Sequence, residues 1–215
     1  LCLIYGNQQL LVEETVDSII EDRLKGRQHE WALERFNLHE LLKTTGDSGR
    51  KNVEDLLISC ETLPMLTDRK VIRIDNFELV KKSRNNSEKN NQQLLYETVD
   101  KIIKDPPESI WFIFTSTATR EQDFSNPLFQ SIKKTGLIKK FSAYENATPL
   151  NWVIQRGDTK GLPLSADAAR LLIDIVGSDL MDLDHELEKL SLYFSGEKIT
   201  EEMIKEHIRG HKHFS

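Results

Sequence analysis

Six residues in the first third of the chain have the placement, but not all the types, of a nucleotide site. Gly6 closes an apolar run from Leu1 to Tyr5, and a helical pattern follows, which is where a phosphate loop of the form GxxxxGK[ST] would sit. Such a loop aims backbone N–H groups at phosphate through a glycine-rich turn, counters the charge with a lysine and holds magnesium with a hydroxyl. Counted from Gly6, the second glycine, the lysine and the hydroxyl fall on Leu11, Val12 and Glu13. None of those functions survives there. Glu13 and Glu14 also bring negative charge toward a triphosphate, a repulsion on the order of a few kcal/mol in a partly buried site. Asp75 and Asn76 follow another strand-like run and have the form of a Walker B pair whose second acid is an amide. The water-activating carboxylate is therefore missing too, and the site is expected to be degenerate and to bind no ATP.

Other reactive groupings point to less. His207, His211 and His213 cluster near the end, but Gly210 lies among them and no carboxylate or cysteine completes a metal set. Adventitious metal binding is the most they suggest. Cys2 and Cys60 are the only cysteines and have neither CxxC nor Cys/His spacing, which fits a reducing compartment. Arg156, Gly157 and Asp158 spell an adhesion tripeptide, read here as coincidence at a helix end. There is no GxSxG elbow and no HExxH. No intrinsic enzyme activity and no cofactor are expected.

The elements that must carry these residues can be read from periodicity. Leu1 to Tyr5 is a buried strand, and Leu10, Leu11, Val16, Ile19 and Ile20 mark a helix ended near Gly26. Trp31 to Leu38 alternates as a second strand, Thr44 to Lys51 reads as a polar loop, and Asn52 caps a helix burying Val53, Leu56, Leu57 and Cys60. Val71 to Asp75 is a third strand. Lys81 to Gln93 is a polar loop running into a helix with Leu94, Leu95, Val99, Ile102 and Ile103 inward, stopped by Pro106 and Pro107. Ile110 to Thr115 is wholly apolar, as in a parallel sheet covered on both faces. A helix over Pro127 to Lys134 and a strand over Leu137 to Phe141 follow. Strands then stop, and 148–157, 165–177, 179–195 and 200–207 all read as helices, with Ser165 and Thr200 as N-caps and Gly177 as a C-terminal stop.

Composition bounds the function. In 215 residues, 38% hydrophobic and 30% charged, two compact units can form, and a formal charge of -6 argues against a free-standing nucleic-acid binder. Basic clusters at Lys81, Lys82 and Arg84 and from Lys133 to Lys140 read as solvated faces. No run approaches the roughly 18 apolar residues of a membrane span, so a cytoplasmic protein is expected. A chain opening on Leu1 within a strand is expected to be trimmed.

Several segments together resemble the bacterial DNA polymerase III delta subunit, the delta subunit of the clamp loader: Leu3 to Gly6, Thr62 to Asn76, Gly161 to Ser165, Val176 to Leu180 and Glu186 to Tyr193. They stand in that family's order and cover essentially the whole chain. The resemblance implies an AAA+-like α/β domain over residues 1–143, a P-loop-type parallel sheet with helices on both faces. A small all-α, three-helix lid domain over 144–215 would follow. Periodicity divides the chain in the same way. In the family a helical collar comes next, so the chain is expected to be truncated.

The function so implied is that of a clamp-loader subunit that binds and opens the sliding clamp, the beta subunit, for loading onto primed DNA during replication, without ATPase activity of its own. Polymerase activity, a DNA-directed nucleotidyl transfer, would belong to the holoenzyme as a whole. Other clamp-loader subunits would be partners of the full-length protein, primer-template DNA would be met indirectly through the complex, and no membrane is involved. A degenerate AAA+ adaptor or scaffold with another partner is the alternative.

In the family, the clamp-contacting element lies at the turn before the third strand, which places it on Leu63, Met65 and Leu66. Pro64 interrupts the preceding helix, so these side chains fall in a break between elements, where a chain can present a hydrophobic wedge. At roughly 1.5 to 3 kcal/mol each, their burial supplies a gross gain of about 5 to 9 kcal/mol against association costs. An aromatic is common where Leu66 stands. Without the resemblance, the same residues read as core anchors of the strand. Arg69 and Lys70 read as structural or rim charges, and Trp152, Val153, Leu187, Leu190 and Leu192 or Tyr193 as bundle core.

Overall fold

The apolar runs Cys2–Gly6, Lys70–Asp75 and Ile110–Ser116 pair as central strands because each can bury both of its faces. In the computed structural model, residues 1–24, 29–43, 46–64, 67–82, 91–142, 149–194, 196 and 198–212 are described. Strands β1 (Cys2–Gly6), β2 (Leu33–Asn37), β3 (Lys70–Asp75), β4 (Ile110–Ser116) and β5 (Leu137–Phe141) form one sheet in the order β2-β3-β4-β1-β5. Every pair is parallel.

Alternation along each strand divides the core in two. On one face Leu3, Tyr5, Ile72, Ile74, Phe112 and Phe114 pack with residues of α4 (Gly46–Glu61), α5 (Asn91–Lys104) and α6 (Asn126–Thr135). On the other, Cys2, Ile4, Val71 and Ile113 meet α1 (Gln9–Leu24), whose Val12, Val16, Ile20 and Leu24 make one stripe at i, i+4 spacing. The sheet is covered on both faces, as its apolar strands require.

Local boundaries differ from the sequence pattern in informative places. Trp31 is 72% exposed and belongs to a short helix, α2 (His29–Ala32), so β2 starts only at Leu33, where pairing with Val71 of β3 begins. Leu38 is not the end of that strand but the buried first residue of α3 (Leu38–Lys43). Asn37 Oδ1 accepts from the backbone N–H groups of His39 and Glu40 at 3.0 and 3.4 Å, which turns the chain into α3. Helix α4 begins at Gly46, six residues before the expected cap at Asn52. Its first turns are polar, and Arg50 and Glu54 form an i, i+4 pair at 2.8 Å on the exposed side.

The chain divides into two compact units, one of Leu1–Asn7 with Leu11–Phe141, the other of Gln8–Leu10 with Ser142–Ser215. The second unit contains α7 (Pro149–Thr159), α8 (Ala166–Val176), α9 (Leu180–Tyr193) and α10 (Glu201–Lys212), the four helices that periodicity indicates where the resemblance implies three. Ser165 caps α8 by accepting from the Ala168 N–H, and Asp179 caps α9 through the N–H groups of Met181 and Asp182. Gly177 ends α8 at φ 102°. A single parallel bridge, Leu164 to Ile199, ties the start of α8 to the approach to α10.

Leu187 and Leu190 are core, but Leu192 and Tyr193 are not: they are exposed at the last turn of α9. Within α7, Arg156 bonds Asp184 of α9 at 2.5 and 3.2 Å, and a Cβ on Gly157 would lie 2.0 Å from the Leu164 side chain. The tripeptide is thus helix-packing material. Among the described residues no helix is long and apolar enough to cross a membrane.

Candidate functional site

In parallel sheets ligands favour the carboxyl ends of adjacent strands whose connections leave in opposite directions. Here β1 and β4 are such neighbours, since the chain leaves β1 toward β2 at one edge and leaves β4 toward β5 at the other. Gly6 and Thr115 lie at these strand ends, and Asp75 and Asn76 at the same end of the neighbouring β3.

The loop needed to cradle phosphate is not formed. Only Asn7 and Gln8 separate β1 from α1, so Leu11, Val12 and Glu13 are already helical. Val12 is 1% exposed within the α1 core stripe and Leu11 packs beside it. Gly6 has φ 138°, and a Cβ there would stand 1.7 Å from the Phe141 carbonyl oxygen. Its glycine serves the close approach of β5.

Glu13, expected from the sequence to face a triphosphate, is instead committed inside the protein. Arg73, in the middle of β3, points to the α1 side like Val71 and makes a two-pronged contact with Glu13. Its Nη1 and Nη2 donate to Oε2 and Oε1 at 2.7 and 2.8 Å. The Arg73 Nε donates to Asp75 Oδ1 at 2.7 Å, and Thr115 Oγ1 donates to the same oxygen at 2.5 Å. Burial alone would favour proton loss from Arg73, but its bonds to Glu13 and Asp75 outweigh this and hold the guanidinium above its ordinary range. Arg73 thus joins α1 to β3, and Asp75 joins β3 to β4, at the end of the sheet where a phosphate loop would stand.

Asn76 completes the closure. Its backbone is left-handed at φ 65°, a conformation asparagine tolerates better than most residues, and its Nδ2 donates to Asn37 Oδ1 at 2.9 Å. The amide that replaces the second acid therefore links the ends of β3 and β2. Among the described residues no cluster of three or more His, Cys, Asp or Glu could hold a metal ion.

The segment between α4 and β3 lies at the opposite, amino edge of the sheet. Helix α4 ends at Glu61, and the Thr62 N–H and Oγ1 both donate to the Ile58 carbonyl at 2.9 and 2.7 Å. Leu63 follows, 60% exposed, and Ile58 is exposed to a similar degree at 59%. Met65 and Leu66 lie outside the described residues. Thr67 Oγ1 then donates to the Arg69 carbonyl at 2.7 Å.

Lys70 fixes the two ends of this segment. It is 5% exposed, and its Nζ donates to the carbonyl and hydroxyl of Ser59, both at 3.0 Å, while pairing with Glu34 Oε1 at 2.6 Å. A cation at the last turn of α4 meets the negative end of that helix. The first residue of β3 is thereby tied to the end of α4.

Arg73 and Thr115 were not legible as site residues. One signal existed: a lone arginine inside Val71–Ile74, on a strand buried on both faces, needs a carboxylate partner. Nothing in the sequence names Glu13, 60 positions away, as that partner.

This geometry can be set beside known proteins. The sequence matches the family described as DNA polymerase III, delta subunit, over residues 2–142. Among curated proteins no relative matches. Among solved structures, the Bacillus subtilis DNA clamp loader delta protein (YqeN) superposes with a TM-score of 0.62 at 19% identity, over 94% of this chain and 56% of that one. The Thermotoga maritima RuvB Holliday junction branch migration motor superposes with a TM-score of 0.54 at 14% identity, over 97% of this chain and 60% of that one. The chain thus spans little more than half the length of the structures it matches, and at these identities the likeness is one of fold. With its family pattern running through all five strands, the chain belongs to the DNA polymerase III delta-subunit family.

Proposed function

We propose that this chain grips a sliding clamp through Leu63, Met65 and Leu66 and favours the clamp's open form, as a clamp-loader subunit that neither binds nor hydrolyses ATP. Family membership supports a clamp-loader role, and the observation that carries the finer reading is Leu63. It is a large apolar side chain, 60% exposed, on a segment whose ends are held by buried Lys70. Holding the flanks of a binding segment lowers the conformational freedom lost on docking, so more of the burial energy of Leu63 reaches the affinity.

The mechanism is a population shift and not a chemical step. A clamp alternates between closed and open forms, and a wedge that fits the open form better moves the equilibrium by its difference in affinity for the two. The Arg73 network supports the absence of ATP chemistry, because the crevice that would hold phosphate and magnesium is spanned by Glu13, Arg73, Asp75 and Thr115. Other loader subunits and primer-template DNA would be met by the full-length protein.

The test is binding to the purified sliding clamp, comparing wild type with the triple variant Leu63→Ser, Met65→Ser, Leu66→Ser, alongside a calorimetric titration with magnesium and ATP. Clamp binding that the folded variant loses, with no saturable heat from ATP, is expected. A clamp that wild type ignores, or ATP bound at micromolar concentration, would overturn the reading.

A further inference from the structure

The buried side-chain polar atoms without a hydrogen-bond partner among the described residues are Arg23 Nε, Ser109 Oγ and Trp111 Nε1. All belong to residues lining one cavity of about 170 Å³, where β3 and β4 begin. Buried donors are unfavourable until something supplies an acceptor, so their convergence on one cavity points to a ligand that accepts. The Cys2 thiol sits beside the indole N–H, but sulfur is a weak acceptor.

The cavity's charges narrow the chemistry. Arg23 stacks on Trp111, its guanidinium carbon 3.9 Å from the ring centroid, with the Asp22 carboxylate 3.6 Å from Nε. Lys70 forms part of the wall and is balanced by Glu34. Arg69 is exposed and has no ion-pair partner among the described residues, while Glu108 is the one lining carboxylate. Arg23 and Lys70 each have a carboxylate partner, which leaves Arg69 as the cation open to a ligand and suits a singly charged carboxylate better than a phosphate dianion. An arginine fork beside a serine hydroxyl has the donors to hold it.

We propose that this cavity receives a glutamate or aspartate side chain of the protein partner that docks on Leu63. Arg69 and Lys70 join the Leu63 segment to β3, so cavity and wedge lie at the same sheet edge. The choice of partner rests on the clamp-binding reading, whereas the choice of carboxylate rests on the cavity alone.

Two measurements separate these claims. First, the Trp111 indole N–H resonance is followed while acetyl-glutamyl amide is added, with sodium chloride at matched ionic strength and inorganic phosphate in parallel. A saturable shift from the glutamyl compound is expected, weakened about tenfold by Arg69→Gln and less by Arg69→Lys, which keeps the charge but loses the fork. A response no larger than that to chloride, or tighter binding of phosphate, overturns the carboxylate assignment. Second, Arg69→Gln is expected to weaken clamp binding by about tenfold. Unchanged clamp affinity overturns the assignment of the partner. If wild type binds no clamp, the proposed function and the partner fall together, while the resonance titration still decides what the cavity holds.

Discussion

Replacing Arg73 by leucine would leave Glu13 and Asp75 facing one another without the cation between them. The Arg73 side chain is 10% exposed, while those of Glu13 and Asp75 are 32% and 25% exposed. Removing one partner of a fully buried pair costs about 3 to 5 kcal/mol, because the remaining charge is stranded. Partial solvation of both carboxylates lowers the expectation for Arg73→Leu to about 2 to 4 kcal/mol. Glu13→Gln keeps the Asp75 contact and is expected to cost about 1 to 2 kcal/mol. The double variant Arg73→Leu, Glu13→Leu removes a stranded carboxylate and adds apolar contact beneath α1. It is expected to be more stable than Arg73→Leu alone by about 1 kcal/mol or more. Urea unfolding at pH 7, followed by circular dichroism and fitted with a common slope, measures all three. A loss below about 0.5 kcal/mol for Arg73→Leu would place it among ordinary surface changes and refute the argument. So would a double variant no more stable than Arg73→Leu alone.

The other expectations are simpler. Gly6→Ala, at φ 138° and with a Cβ 1.7 Å from the Phe141 carbonyl, should cost about 3 kcal/mol or more in the same urea assay; a wild-type midpoint would show that β5 yields freely. Burial would raise the Asp184 carboxyl, but Arg156 and Lys160 outweigh it and hold the group below its ordinary value, so its contribution is full above the unfolded value of about 3.9. That contribution is lost as pH falls through the lower folded value, and Asp184→Asn should abolish this acid-dependent component while lowering stability at pH 7 by about 1 to 3 kcal/mol. A pH titration of unfolding for both proteins decides it, and identical acid limbs would count against the pairing. Burial pushes the Cys60 thiol up to about 12 and also raises Cys2, so both should resist a disulfide reagent at pH 8 until urea unfolds the chain. Rapid labelling of the native protein would contradict their burial.

Much of the fold was legible because its determinants are local. Ile110 to Thr115 could only be a strand covered on both faces, Pro106 and Pro107 had to end α5, and Ser165 carries the hydroxyl that a helix start requires. The loss of phosphate-binding chemistry at Leu11, Val12 and Glu13 was also plain, since it depends on residue types at fixed spacing. The errors fell where an end depends on a neighbour: β2 begins at Leu33 because Val71 is there to pair with it, and Leu192 and Tyr193 read as core from their types but are exposed at the last turn of α9.

The sequence by itself therefore determined the order of the five strands, the core stripes of the long helices, the cap at Ser165 and the loss of phosphate-loop residues. Tertiary structure alone decided that Glu13 would meet Arg73, that Lys70 would tie β3 to the end of α4, and that Arg23, Ser109 and Trp111 would share one cavity. Propensity and periodicity act between residues a few positions apart, whereas the partner of a buried charge is chosen by which strands and helices become neighbours in space.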